Sequence, residues 1–377
     1  MSSAVIYRTN SCNLRCIHCS VGPDLSSRRA GLSLSQFKTS LDNLARNGTT
    51  RVTILGGEPL SDPLLYPILE HAGAVGIAVT YNTNLTLKTI DFAKLASYSA
   101  FSGFIVSIDG GRADIHDKVR GRVGAFSRTL NNISLYNQAR AQSTTRPELE
   151  VNFVLSGVNA CSIGDLFRLC EDNLVDVLGV TPVHFTGFAS DNREDLDADL
   201  FGRRLAIEQV ILYKYFSRRM RIRIDTPPRV VRYMKERYGL TIERSKPACP
   251  GTGVYSYVDL KGNHLPCPAM AYENGPKSLF EHRAPSADIT TENYSIRENL
   301  LLSAFDQQRS THNLLQRMEP CRSCEFNREC FPCVADLMRG AEDGTTETCR
   351  IFSSANLSSP LAPKPTSVSI NKEASCS

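Results

Sequence analysis

The sequence predicts an α/β fold: a partial (β/α)6 TIM-like barrel followed by a loop-rich, cysteine-dense segment. Three observations predict it. Short apolar runs alternate with helical patterns up to about residue 200, as parallel βα units do. About six such units fit into that length, fewer than the eight of a closed barrel. From Cys249 onward the patterning fades while cysteines become frequent, and a segment with so little regular core needs metal staples to hold together.

In chain order, "AVIYRT" reads as the first strand and runs into "CNLRCIHC", Cys12 to Cys19. "SLSQFKTSLDNLARNG" reads as an amphipathic helix capped by Ser33 and stopped at Gly48. "RVTILGGEP" is a buried strand ending in a glycine turn. The strand series continues with "GIAVTYNTN", "FSGFIVSIDGG", "ELEVNFVLSG" and "VLGVTPVHFTG". Between them "TIDFAKLASYS", "AFSRTLNNISLYNQAR" and "SIGDLFRLCEDNL" are helical. Polar residues gather at the C-terminal ends of the strands, where such folds place their sites.

An acidic connector, "DNREDLDADL", leads to a long helix from about Leu200 to Met220 and a second around Arg229 to Tyr238. This stretch carries Arg203, Arg204, Arg218, Arg219, Arg221, Arg223, Arg229 and Arg232. They read as a solvated helix face, with a dock for an acidic peptide segment as the sharper alternative. Cys161 and Cys170 sit in helical surroundings and read as small core residues. The Ser/Pro-rich tail "SSANLSSPLAPKPTSVSINKEASCS" is expected to be disordered. The expected organisation is a barrel over 1–220, a helical bridge over 221–248, a cysteine domain over 249–351 and a tail over 352–377.

At 41% hydrophobic and 22% charged, the chain has the composition of a folded soluble protein. A net charge of +4 is too mild to imply a nucleic-acid partner. "MSSAVIYRTN" lacks the basic flank and apolar run of a signal peptide. No apolar stretch approaches the ~18 residues of a membrane span, so a cytoplasmic protein without a membrane partner is expected. Thirteen cysteines in such a compartment point to metal binding or catalysis before disulfides.

Cys12, Cys16 and Cys19 follow the spacing Cys-x3-Cys-x2-Cys. Thiolates are soft ligands, and a compact loop can wrap three corners of an iron–sulfur cubane. A structural zinc would want a fourth ligand close by. His18 is the candidate, but as the neighbour of Cys19 it cannot easily turn to the same metal. Three ligands leave one iron open for a substrate or cofactor.

"CNLRCIHC" resembles the signature of the radical S-adenosylmethionine (SAM) superfamily. The resemblance implies a [4Fe–4S] cluster whose open iron binds SAM and whose electron cleaves it to methionine and a 5′-deoxyadenosyl radical. "GGEP" resembles the family's motif for the SAM amino group. Gly56 and Gly57 would let the backbone approach, and Glu58 would accept an ammonium hydrogen bond. "SIDGGRADIHDKVRGRVGAFSRTL" resembles the segment at the fourth strand. It implies that Ser107 and Arg128 hold the SAM carboxylate, with an exposed helix residue as the alternative for Arg128. By the same resemblance Asn84 lines the pocket and His18 packs near the adenine. His116, Asp117 and Arg120 are read as stabilising the loop.

The later cysteines, Cys249 and Cys267 with Gly262 between them, then Cys321, Cys324, Cys330, Cys333 and Cys349, resemble the SPASM extension. That implies two auxiliary [4Fe–4S] clusters, hence three in all. Cys321, Cys324, Cys330 and Cys349 would hold the outer one, and Cys249, Cys267 and Cys333 the inner one. The Cys330–Cys333 interval is one residue shorter than the usual spacer, which loosens the ligand assignment. Taken alone, Cys321, Cys324, Cys330 and Cys333 would suit a zinc knuckle.

Enzymes of this build mostly modify ribosomally made peptides, so the expected activity is oxidative modification, foremost crosslinking, of a precursor peptide. An external one-electron reductant of flavodoxin or ferredoxin type is the second expected partner. A small-molecule oxidase or maturase acting on a tetrapyrrole or aminocyclitol is the alternative. A non-catalytic iron–sulfur or zinc protein is the reading from another class, and the SAM motifs argue against it. Pro268 directly follows Cys267, where sulfatase maturases carry an aspartate base. The first strand begins almost at Met1, so leader recognition is expected from a separate protein or the body of this one.

Overall fold

Alternation sets the first strand. In β1 (Ser3–Tyr7) Ala4 and Ile6 turn into the core, while Val5 and Tyr7 join a second apolar cluster on the opposite face. The computed structural model describes residues 3–22, 25, 31–217, 219–243, 255–265, 287–291, 322–326 and 351–352. Within them β2 (Arg51–Leu55), β3 (Ala78–Thr83), β4 (Phe101–Ser107), β5 (Glu148–Leu155) and β6 (Val177–Pro182) follow β1 in chain order. Each pairs in parallel with the one before it. Six parallel strands before residue 200 match the expected six units.

The sheet then grows at both edges. β7 (Arg221–Ile224) pairs in parallel with β6, inside the stretch expected to be a helical bridge. Its pattern of buried Ile222 and Ile224 between exposed arginines has period two, too short at four residues to stand out by sequence. β8 (Tyr255–Val258) adds in parallel to the other edge, beside β1. β9 (Asn263–Leu265) and β10 (Ala287–Asp288) extend it antiparallel. The order is β10-β9-β8-β1-β2-β3-β4-β5-β6-β7, and among the described residues the two ends do not meet. The barrel is therefore open.

The crossovers carry α1 (Leu34–Arg46), α2 (Leu65–Ala74), α3 (Phe92–Ser97), α4 (Ala113–Arg120), α5 (Ala125–Ala141) and α6 (Ile163–Asp172). α1 starts at Ser33, whose hydroxyl accepts from Gln36 N while the Gln36 side chain reaches back to Ser33 N. That reciprocal pair satisfies two otherwise orphaned donors. Gly48 follows the helix end at φ +80°. Two short helices, α7 (Phe188–Asp191) and α8 (Arg193–Asp197), lead into α9 (Leu200–Phe216), and α10 (Pro228–Tyr238) follows β7. No helix among the described residues is long and apolar enough to cross a membrane.

The two faces of the sheet differ. Val79, Tyr81, Phe101, Phe104 and Val106 lie under the helices and are almost fully buried. Phe104 stands edge-on to Tyr136 of α5 at 4.7 Å and to Phe101 at 5.0 Å. The opposite face carries half-buried Thr80, Asn82, Ser102, Ser107 and Asn152. Thr80 and Ser102 share a 2.7 Å hydrogen bond across β3 and β4. Polar side chains inside the curve of an open barrel are what a ligand-facing surface requires. Cys170 is fully buried in the core as expected, but Cys161 is exposed.

The arginines of α9 to α10 divide: Arg219, Arg221, Arg223 and Arg232 are exposed, as a solvated face requires, while Arg203 and Arg204 are buried. Arg203 is fully buried and donates to Asp197 at 2.8 Å. Arg204 pairs with Glu208, Arg219 with Glu171, Arg221 with Glu148, Arg223 with Glu150, and Arg232 with Glu236 and Glu325. Arg229 reaches Cys324 Sγ at 3.6 Å. Arg218 lies outside the described residues. A region whose guanidiniums already face carboxylates offers little to an acidic peptide, so that expectation is withdrawn.

Phe104 is the keystone of the helix-facing core. Phe104→Ala is expected to destabilise the fold by about 3–5 kcal/mol, read as a lower denaturant midpoint at unchanged slope.

Candidate active site

β1 runs directly into the cysteine loop, and that loop is clamped by backbone bonds to the C-terminal ends of its neighbours. After β2, Gly57 N donates to Thr9 O and Glu58 N to Ser11 O. Next to α4, Ile17 N donates to Val119 O. After β6, Phe188 N donates to Cys19 O, and Asn192 Nδ2 to Ile17 O. The clamps require close backbone approach. A Cβ at Gly57 would lie 2.2 Å from Ser11 O, and one at Gly121, which also holds φ +67°, 2.2 Å from Arg15 O. Only glycine fits either place.

Inside the clamp lies a cavity of about 240 Å³. Cys12, Cys16 and Cys19 line it, with Gly56, Gly57, Asn82, Asn84, Ser107, Arg120 and Asn152. Burial pushes the Cys12 thiol up to about 11 and Cys19 up to about 12, and raises Cys16 as well. Such thiols bind as thiolates only if a metal supplies the compensating charge. Donors are already turned to the sulfurs. Leu14 N lies 3.4 Å and Asn84 Nδ2 3.9 Å from Cys12 Sγ, and Arg120 Nη1 lies 3.7 Å from Cys16 Sγ.

The donor set decides between a lone ion and a cluster. Among the described residues no three His, Cys, Asp or Glu side chains converge tightly enough for one metal ion. Three thiols lining one cavity, with no fourth such ligand among the lining residues but His18, which is turned to Asp109, fit the corners of a multi-iron group. The residues present therefore fit a [4Fe–4S] cluster held by Cys12, Cys16 and Cys19. Of the later cysteines only Cys324 is described, half-buried beside Arg229. Cys249, Cys267, Cys321, Cys330, Cys333 and Cys349 lie outside the described residues.

Beneath the loop sits a buried charge network. Asp109, just past β4, has no exposed surface. Its Oδ1 accepts from Val154 N at 2.9 Å, and its Oδ2 lies 2.7 Å from both Arg120 Nη2 and His18 Nε2. Burial works against the charge, but Arg120 and then His18 overcome it and hold the carboxyl well below the usual range. Asp109 N in turn donates to His116 Nδ1 at 3.2 Å. Asp117 accepts from Gly124 N and Phe126 N, closing the loop before α5. Arg120, expected to steady the loop, does so and also lines the cavity. Asp109 was legible only as the acid ending "FIVSID", a charge directly after an apolar strand.

The structure turns Glu58 away from the cavity, against the expectation of an ammonium partner. Its carboxylate is fully buried and accepts from Leu60 N at 3.0 Å, Thr83 Oγ1 at 2.7 Å and Asn84 N at 2.8 Å. Three donors converging on one carboxylate make a brace between the β2 and β3 ends. Asn84 is held there and does line the cavity. Ser107 lines it too, with Asn82 Oδ1 at 3.4 Å. Arg128 does not: it lies half-exposed in the first turns of α5, outside the cavity lining. Its part in holding a carboxylate is not supported by this geometry. Asn82 and Asn152 escaped the sequence reading because only strand register sets them beside Ser107. His18, expected to pack near the adenine, lines the cavity with its Nε2 turned to Asp109.

Residues 6–147 match the model of the radical SAM superfamily and form a radical SAM domain. The AdoMet-dependent heme synthase of Methanosarcina barkeri is 28% identical over 349 residues, covering 87% of this chain and 89% of that protein. The PqqA peptide cyclase of Bradyrhizobium diazoefficiens is 26% identical over 91% of this chain and 84% of its own length. The solved structure of Streptococcus suis SuiB bound to precursor peptide SuiA superposes with a TM-score of 0.65 at 18% identity, covering 91% of this chain and 74% of that one. That likeness fixes the fold, a radical SAM partial barrel.

Two outcomes follow from the geometry. Glu58→Ala strips buried Leu60 N and Asn84 N of their acceptor, at about 1–3 kcal/mol per orphaned group. The thermal midpoint should fall accordingly, with SAM affinity lost alongside it; a fully stable variant with weakened SAM binding would return Glu58 to the ligand. Burial, and then Arg120, push His116 down to about 4, and burial alone does the same to His264. The folded imidazoles thus stay neutral where unfolded ones, at about 6.5, take up a proton. Stability should fall as pH drops from about 6.5 to 4, and His116→Gln should flatten part of that slope in thermal melts.

Proposed function

We propose that this radical SAM enzyme performs oxidative modification, foremost crosslinking, of a ribosomally synthesised peptide. When bound, the [4Fe–4S] group supplies the electron that splits SAM into methionine and a 5′-deoxyadenosyl radical. The chain's own residues hold and shield that chemistry. Cys12, Cys16 and Cys19 would hold the cluster. Gly56, Gly57, Asn84 and Ser107 supply backbone and neutral polar groups for SAM. Leu14, Tyr7, Val21 and Leu55 give apolar walls that exclude water.

The observation that carries the peptide reading is the neutrality of the lining. Arg120 and His18 are the basic side chains along the cavity among the described residues, and both are turned to Asp109, with Arg120 also at the Cys16 sulfur. Asn82, Asn152 and Ser107 are amides and a hydroxyl, suited to peptide groups. A tetrapyrrole brings several carboxylates, which want free guanidinium or ammonium partners. The second reading, a tetrapyrrole maturase, is favoured by the similarity to AdoMet-dependent heme synthases along most of the chain. Two auxiliary clusters held by the later cysteines belong to the proposal, as a route for the second electron of an oxidation.

The anaerobically reconstituted enzyme, reduced and given SAM, is to be incubated with a short peptide encoded beside its gene and, separately, with tetrapyrrole carboxylates. The peptide should lose two hydrogens by mass spectrometry with stoichiometric 5′-deoxyadenosine. If the peptide neither changes mass nor takes up deuterium from heavy water while a tetrapyrrole is converted, the second reading replaces the first. Iron analysis should give about twelve irons per chain; about four would leave the radical SAM cluster without auxiliary ones.

A further inference from the structure

The outer side of the cysteine loop carries cations that the cavity does not use. Arg15 lies between ligands Cys12 and Cys16 and is exposed. Its Nη1 donates only to backbone, Cys12 O at 3.1 Å and Leu14 O at 2.8 Å. Gly121 packs on Arg15 O, and Arg122, also exposed, donates to Asn13 O at 3.0 Å. Lys118 is exposed on α4 one turn before Arg122, and Arg128 is half-exposed in the first turn of α5. None of the four lines the cavity.

These cations have no counter-ions among the described residues. Of the two acids on α4, Asp117 is spent on Gly124 N and Phe126 N, and Asp114 pairs with Arg112. Many other described arginines, among them Arg8, Arg140, Arg168 and Arg203, face carboxylates. Next to Arg122 in the chain, Val123 is 94% exposed, an apolar tip on a loop pinned by Asp117. A fixed apolar tip beside unpaired positive charge is the pattern of a transient, electrostatically steered interface.

We propose that this face docks a small acidic one-electron donor protein of flavodoxin or ferredoxin type. The inference rests on the radical SAM reading of the loop. The donor would sit over residues 13–15, which separate two of the cluster's ligands and are only a loop's thickness from the cavity. It is oxidised by one electron, and the cluster held by Cys12, Cys16 and Cys19 is reduced by one. An acidic substrate segment is the lesser fit, because these side chains point to none of the space where SAM and substrate would meet.

The test uses the reconstituted holoenzyme and compares two reductants in SAM cleavage: dithionite, and photoreduced flavodoxin as the protein probe. Lys118→Glu combined with Val123→Asp touches no bond within the loop. It should lower the flavodoxin-driven rate at limiting donor by about tenfold or more, leave the dithionite-driven rate and iron content unchanged, and lose its effect as salt is raised. Arg15→Glu with Arg122→Glu should act more strongly, with the first pair deciding if cluster content falls. Equal flavodoxin-driven rates in the Lys118/Val123 variant and the parent overturn the proposal. So does a variant that loses affinity for an acidic peptide substrate while flavodoxin kinetics hold. Failure of dithionite to drive any SAM cleavage in the parent would instead remove the radical SAM reading, and this proposal with it.

Discussion

One carboxylate with no exposed surface ties the catalytic end of this barrel together. Asp109 sits at the end of β4, takes the backbone of β5 through Val154 N, the guanidinium of Arg120 from α4, and the imidazole of His18 from the cysteine loop. Breaking one partner of such a buried set leaves an uncompensated charge, which is far costlier than any surface pair. The network therefore holds its geometry stiffly. Arg120 extends it to the sulfur of Cys16. A positive charge and a donor at a ligand sulfur favour the more negative form of an iron–sulfur group, so the anchor of the fold also bears on the electronics of the site.

Glu58 does at the β2–β3 junction what Asp109 does at β4–β5. Both acids end strands of the inner sheet, both are fully buried, and both bind protein donors in place of ligand. What they leave to the cavity is a neutral lining. Asn84 illustrates the division: its backbone N–H is held by Glu58, its Oδ1 by Thr86, and its Nδ2 turns to Asn13 and the Cys12 sulfur. Because the charges are held beneath, the surface above can present amides, a hydroxyl and thiols without strong fields of its own.

The same economy of charge separates the two sides of the cysteine loop. Inward, Asp109 meets Arg120 and His18, and Glu58 meets neutral donors. Outward, Arg15, Lys118 and Arg122 meet no carboxylate among the described residues. The glycines at 56, 57 and 121 make this possible, since a loop pinned by backbone contacts needs no ion pairs of its own to stay in place. Its long side chains are free for a partner.

The sequence by itself determined the parallel βα order, because period-two and period-3.6 patterns are local. It also determined the thiol chemistry, because Cys12, Cys16 and Cys19 share one short loop and one spacing. It placed the Ser33 cap and the Gly48 stop, both of which act within a turn. The tertiary structure alone decided which polar residues face the cavity. Asn82, Ser107 and Asn152 are distant in sequence and meet only through strand register. It alone decided that Glu58 braces the sheet, that Arg128 stays outside and Arg120 comes in, and that the arginines of α9 to α10 are paired. A carboxylate or guanidinium reads the same in sequence whether it meets a ligand or a neighbouring strand, because its partner is chosen by packing across the fold and not by its neighbours in the chain.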